Sequence, residues 1–136
     1  MRLVRPLHLA LAVVVGGAVL ASGCGNDDDA DPAAFCERLE RLTENDPFAA
    51  FGDTASEAEM EAAFAALTER AEELVEVAPD DAEAAATDYR DAAVALDELL
   101  AGAGYGIDVD VREYREQQLA YTEAAQRLER YLTTGC

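Results

Sequence analysis

Cys24, Cys36 and Cys136 are the three thiols of this sequence. No Cys-x-x-Cys spacing joins any two of them, which removes the usual dithiol redox motif. The chain has a single histidine, His8, inside an N-terminal apolar run, and no lysine. Past that run, Ser-His and Cys-His nucleophiles, Schiff-base chemistry, and histidine-dependent zinc or di-iron sites are all unavailable. The lysine of a phosphate-binding P-loop is missing too. What remains is carboxylate chemistry, with 29 Asp and Glu against 10 basic residues. Asp88 and Asp91, Glu69 and Glu73, Glu72 and Glu76, and Glu113 and Glu116 fall at helical spacings. Two carboxylates can cleave a glycoside, but only across a cleft that separates their pKa values. These pairs lie off the apolar rows described below, as a solvated face requires. No catalytic residue, metal ligand or cofactor is assigned from them.

The cysteines are positioned by very different surroundings. Arg2 and Arg5 precede an apolar run from Leu7 to Ala21, then Ser22-Gly23-Cys24 and an acidic Asn26-Asp27-Asp28-Asp29. This is the layout of a cleaved export signal, and the run is shorter than the roughly 20 residues a membrane-spanning helix needs. With two small residues just before Cys24, the stretch resembles the bacterial lipoprotein signal. That resemblance implies a diacylglyceryl thioether on Cys24, which becomes the new N-terminus of a palmitate-bearing, lipid-anchored protein. The family usually has Leu three residues before the cysteine, where Ala21 stands here. Ordinary cleavage near Val19-Leu20-Ala21 would instead release a secreted protein with Cys24 as a free thiol. Cysteine arithmetic favours lipidation, because it leaves Cys36 and Cys136 as an even pair in an oxidising compartment.

Three segments follow from this reading: a signal peptide over 1–23, a flexible acidic tether over 24–31, and a helical domain over 32–136. The net charge is −19, and loss of the signal removes two arginines and no acid. So acidic a chain excludes nucleic acid as a partner and offers no cationic face to an anionic membrane. The membrane contact runs through the lipid on Cys24 alone.

The domain itself reads as four helices. Asp31 caps a first helix with Pro32 at its first position, and Phe35, Leu39 and Leu42 share a face. Pro47 ends it near Asn45. Ser56 and Glu59 form a capping box for a second helix, with Met60, Phe64, Leu67, Ala71, Leu74 and Ala78 in one row. A third starts at Pro79-Asp80-Asp81 and carries Ala82, Ala85, Tyr89, Ala92, Leu96, Leu99 and Ala103, broadened by Ala86, Ala93 and Leu100. Gly102 and Gly104 stop it. The Gly102-Ala103-Gly104-Tyr105-Gly106 stretch follows a helix rather than a strand, so it is a helix end and not a phosphate loop. Asp110 and Glu113 open a fourth helix with Val111, Tyr114, Gln118, Tyr121, Ala125, Leu128 and Leu132 in its row, where Gln118, the one polar member, is expected at an edge and not as a buried register-setting residue. No alternating run long enough for a strand intervenes.

Short connections make neighbouring helices antiparallel, so the expected fold is an all-α, up-down four-helix bundle with a short first helix. In that topology the start of the first helix and the end of the fourth share one end. Cys36 and Cys136 then meet and staple the domain. The opposite end gathers Phe48, Phe51, Tyr105 and Ile107. These four either form a recognition tip or plug the top of the core, and plugging is the commoner fate of such residues.

The lipoprotein signal, Phe35-Cys36, the Asn45-Asp46-Pro47-Phe48 turn and the last cysteine together resemble a class of small secreted helical lipoproteins found mostly in actinobacteria. Arg as the sole basic residue past the signal, and abundant Ala, fit a high-GC genome; the acidity also fits a haloarchaeon. The resemblance implies no activity and no site residues. The function expected is that of a lipoprotein on the extracytoplasmic face of the cell membrane, acting as a non-enzymatic binding or structural module toward an envelope protein or small ligand. An acidic divalent-cation-binding protein and a carboxylate-dependent enzyme are the alternatives.

Overall fold

The computed structural model describes residues 30–49, 51 and 54–136. The signal over 1–23, Cys24, most of the acidic tether and Gly52 lie outside the described residues. Four helices make up the fold: α1 (Pro32–Glu44), α2 (Glu57–Glu76), α3 (Asp80–Gly102) and α4 (Val111–Thr134), and the described residues contain no strand.

Three of the four helices start where a side chain satisfies free amide groups, and α3 starts at Pro79 with no side-chain cap. Asp31 accepts from the N–H groups of Ala33 and Ala34, with Pro32 in the first turn. At α2 the capping box closes both ways: Ser56 accepts from the Glu59 N–H and Glu59 accepts from the Ser56 N–H. Those bonds hold the Glu59 carboxyl below its usual range, the Ser56 hydroxyl contributing most. Asp110 caps α4 by accepting from Arg112 and Glu113 N–H groups; Glu113 returns no bond, so this cap is one-sided. The C-terminus of α3 closes in a Schellman arrangement, the Tyr105 N–H donating to the Leu100 carbonyl and Gly104 N–H to Ala101. Gly104 sits at φ +62°, where glycine avoids a Cβ clash, but Tyr105 also takes a positive φ of 56°.

The helices pack as a ring in which each touches its sequence neighbours and α1 closes against α4. Antiparallel pairing is visible in the bonds that cross the seams. The Asp31 N–H donates to the Val77 carbonyl at the start of α1, and Arg70 donates to the Asn45 carbonyl at its end. Between α3 and α4, Tyr131 donates to Asp81 at one level and Tyr89 meets Tyr121 at another. The core contains Phe35, Leu39, Phe64, Leu67, Leu74, Tyr89, Leu96, Leu100 and Leu128 among its larger members. Each such Leu or Phe contributes about 1.5–3 kcal/mol by leaving water. Ala82, Ala86, Ala92 and Ala93 are the buried small residues of α3, and they let both of its neighbours approach closely.

At the base, Cys36 and Cys136 are joined, with their Cα atoms 5.7 Å apart. The expected bundle, its short first helix and its staple are therefore all present.

The row expected on α4 needs correction. Val111 is 62% exposed, and Ala124 rather than Ala125 is fully buried beside Leu128, while Gln118 is exposed and not a buried register residue. The cause lies in α1. With 13 residues against 24 for α4, α1 spans about 20 Å while α4 spans about 36 Å. The first turns of α4 thus have α3 on one side and no helix on the other, and the side chains facing that gap stay in water.

Candidate functional site

Where α1 stops, the bundle is open. The chain leaves the helix at Asn45 and turns through Asp46-Pro47-Phe48, fixed by the Asp46 carboxylate accepting the Phe48 N–H at 2.9 Å. Phe48 then fills part of the missing helical column, its ring edge-on to Phe64 of α2 at 4.9 Å between centroids and to Phe51 at 5.8 Å. Between this turn and α4 lies a cavity of about 370 Å³, walled by Leu39, Leu42, Phe48, Leu67, Ala125 and Leu128. Tyr89 and Tyr121 line it as well, with Asp46 and Glu129 as its charged groups; no arginine lines it.

The two tyrosines are the polar element of an otherwise apolar interior. Their hydroxyl oxygens are 2.9 Å apart and their rings 5.3 Å centroid to centroid. Burial pushes the Tyr89 hydroxyl well above the usual phenol range, with Tyr121 adding to the rise. Burial raises Tyr121 too, against the opposing effect of its bond to Tyr89. The nearby Asp46 charge acts in the same upward direction on both. Both phenols are therefore neutral at physiological pH. A pair of hydroxyls sharing one hydrogen bond uses one proton, leaving the accepting partner's proton available to another acceptor. The site can hold a small molecule by apolar contact and orient it by two hydroxyls and two carboxylates.

The other sequence-derived positions fall as follows. Phe48, Phe51 and Tyr105 do come together at the end opposite the staple, through Phe64, which lies 6.2 Å from the Tyr105 ring. Phe48 and Tyr105 are half-buried and pack against the core. The Tyr105 hydroxyl donates to Asp97 at 2.6 Å, and this bond is the first cause of a pKa pushed up to about 12. Ile107 stands apart at 99% exposure. The carboxylate pairs are all exposed. Asp88 pairs with Arg127 at 3.1 Å, Asp91 with Arg90 at 2.6 Å and Glu116 with Arg112 at 3.3 Å. Among the described residues no three His, Cys, Asp or Glu side chains converge as a metal site would need. None of the described helices is long and apolar enough to cross a membrane.

Sequence reasoning placed Tyr89 and Tyr121 in their apolar rows but did not pair them, and it treated Asp46 only as the residue before a proline. The available signal was one aromatic hydroxyl at mid-helix in each of two antiparallel rows, level with the end of the short helix. No protein-family model, curated protein or solved structure matches the chain.

Proposed function

We propose that this protein is a lipid-anchored, extracytoplasmic binding module, held to the cell membrane through Cys24, that takes a small molecule into the cavity beside Tyr89 and Tyr121. The observation that carries the binding role is that cavity. Its volume of about 370 Å³ lies at the small end of the range for small-molecule sites, and a mostly apolar wall with a few convergent polar groups is their usual make-up. The anchoring is supported by the Cys36–Cys136 bond, which belongs to an oxidising compartment and leaves Cys24 as the one unpaired cysteine. Palmitate and the actinobacterial setting come from the signal's resemblance to bacterial lipoproteins. The exposed Ile107 supports a second contact, toward an envelope protein, at the end away from the staple.

Two measurements test this. Cells fed an alkyne fatty acid should label the wild-type protein and not Cys24→Ser; equal labelling overturns the anchor. Ligand-observed NMR on the intact oxidised protein against a set of small fragments should find binders that Ala125→Phe, which fills the cavity, no longer binds. If no fragment binds, or the same ones bind the filled variant, the binding role fails.

A further inference from the structure

We infer that the ligand class of this cavity is a small organic cation, an alkyl or aryl ammonium with an apolar body. This rests on the binding role proposed above and deepens it. The charged groups lining the cavity are Asp46 and Glu129, and no arginine joins them, although the described residues include eight arginines. Among the described residues neither Asp46 nor Glu129 forms an ion pair, and Arg70 is the one arginine whose charge acts on a lining group, at Tyr89. Arg41 pairs with Glu37 and donates to its carbonyl, and Arg70 donates to the Asn45 carbonyl. Glu129 appears in no ion pair, and Asp46 uses one oxygen on the Phe48 N–H. Neither carboxylate is neutralised by a protein cation.

Three aromatic rings, Phe48, Tyr89 and Tyr121, line the same space. Aromatic faces attract a cation by their quadrupole, more strongly when water is excluded. An anion would meet two like charges and neutral phenols, within a chain of net charge −19. A neutral molecule would gain the apolar contact and hydrogen bonds, with no charge attraction. The cation gains contact, ring and carboxylate together, with its charged head toward Asp46 and Glu129 and its body against Leu39, Leu67 and Leu128. The Asp46 carboxylate is pre-set by its own turn, so little ordering is needed on binding.

The test uses three probes of one shape: a trimethylammonium alcohol, the same alcohol with carbon replacing the nitrogen, and the carboxylate of that carbon series. Each is titrated into the intact oxidised protein by NMR at fixed salt, and again into Asp46→Asn/Glu129→Gln. The ammonium should bind roughly tenfold tighter than its carbon isostere, and the carboxylate should not bind. The double variant should lose most of that preference, keeping only what the aromatic rings supply, while still binding the neutral alcohol. Equal or better binding of the neutral alcohol overturns the cation inference and leaves the binding role standing. A preference undiminished in the double variant places the ammonium elsewhere on the acidic surface and overturns it as well. If no probe binds, the cation inference falls, and the fragment screen with Ala125→Phe decides the binding role separately.

Discussion

The ring of Tyr131 lies directly over Gly135, so that a Cβ at position 135 would come 2.7 Å from the Tyr131 Cζ. Tyr131 cannot easily move aside. Its ring stands edge-on to Phe35 at 5.4 Å and its hydroxyl donates to Asp81 at 3.0 Å. One side chain thus ties the end of α4 to α1 and to the start of α3, next to the disulfide. Gly135→Ala should displace the ring and destabilise the fold by about 1–3 kcal/mol, as overpacking does. Urea unfolding would read this as a lower midpoint at unchanged slope. A midpoint equal to wild type would mean that the ring moves freely.

The Cys36–Cys136 bond closes a loop with a sequence separation of 100. In the chain-entropy description such a closure stabilises by about 4–5 kcal/mol, an upper figure for real cross-links. Reduction, or Cys36→Ser with Cys136→Ser, should lower the melting temperature markedly while leaving helix content at room temperature unchanged. Circular dichroism measures both. Two free thiols on the Cys36 and Cys136 peptides in non-reduced mass spectrometry would remove the staple altogether.

At the opposite end, Phe48 and Ile107 should behave differently. Phe48 packs on Phe64, so Phe48→Ala should cost on the order of 1–3 kcal/mol in thermal unfolding. Ile107, at 99% exposure, should tolerate Ile107→Ser within about 0.5 kcal/mol. Crosslinking from position 107 in intact cells then reports a partner without a folding artefact. Loss of a captured envelope protein in Ile107→Ser supports a recognition tip, and capture that is unchanged by the substitution assigns the contact elsewhere.

Alkali should unfold this protein through its tyrosines. Tyr89, Tyr105, Tyr121 and Tyr131 all have phenol pKa values raised by folding, against about 10 in the unfolded chain. A raised phenol binds its proton longer in the native state than in the unfolded one. The stabilisation is complete below about pH 10 and is lost as pH climbs through the native values. Denaturant titrations should therefore show stability falling above about pH 10. Tyr89→Phe should show a shallower fall, because it removes the most deeply buried phenol, and an unchanged slope would show that Tyr89 is not coupled to folding.

Much of the architecture was legible in the chain. Helix boundaries could be read because they depend on local chemistry: Asp31-Pro32, the Ser56/Glu59 box, Asp110, and Gly104 after α3 each act within a few residues. The disulfide was legible for a different reason, since up-down topology leaves only one way for Cys36 and Cys136 to meet. The α4 row was misread because Val111 and Ala125 fall at helical spacing whether or not a neighbour faces them. Their exposure depends on the length of α1, a distant element.

The sequence by itself determined the four helices, their antiparallel order, the stapled end, the acidic surface and the absence of histidine and lysine chemistry past the first stretch. Only the tertiary structure decided where the bundle is open. That opening arises because α1 ends about halfway along its neighbours, which brings Asp46, Tyr89, Tyr121 and Glu129 around one space from three separate segments. Periodicity reports which face of a helix is apolar. It does not report the level at which a neighbouring helix stops, and a cavity is set by that level.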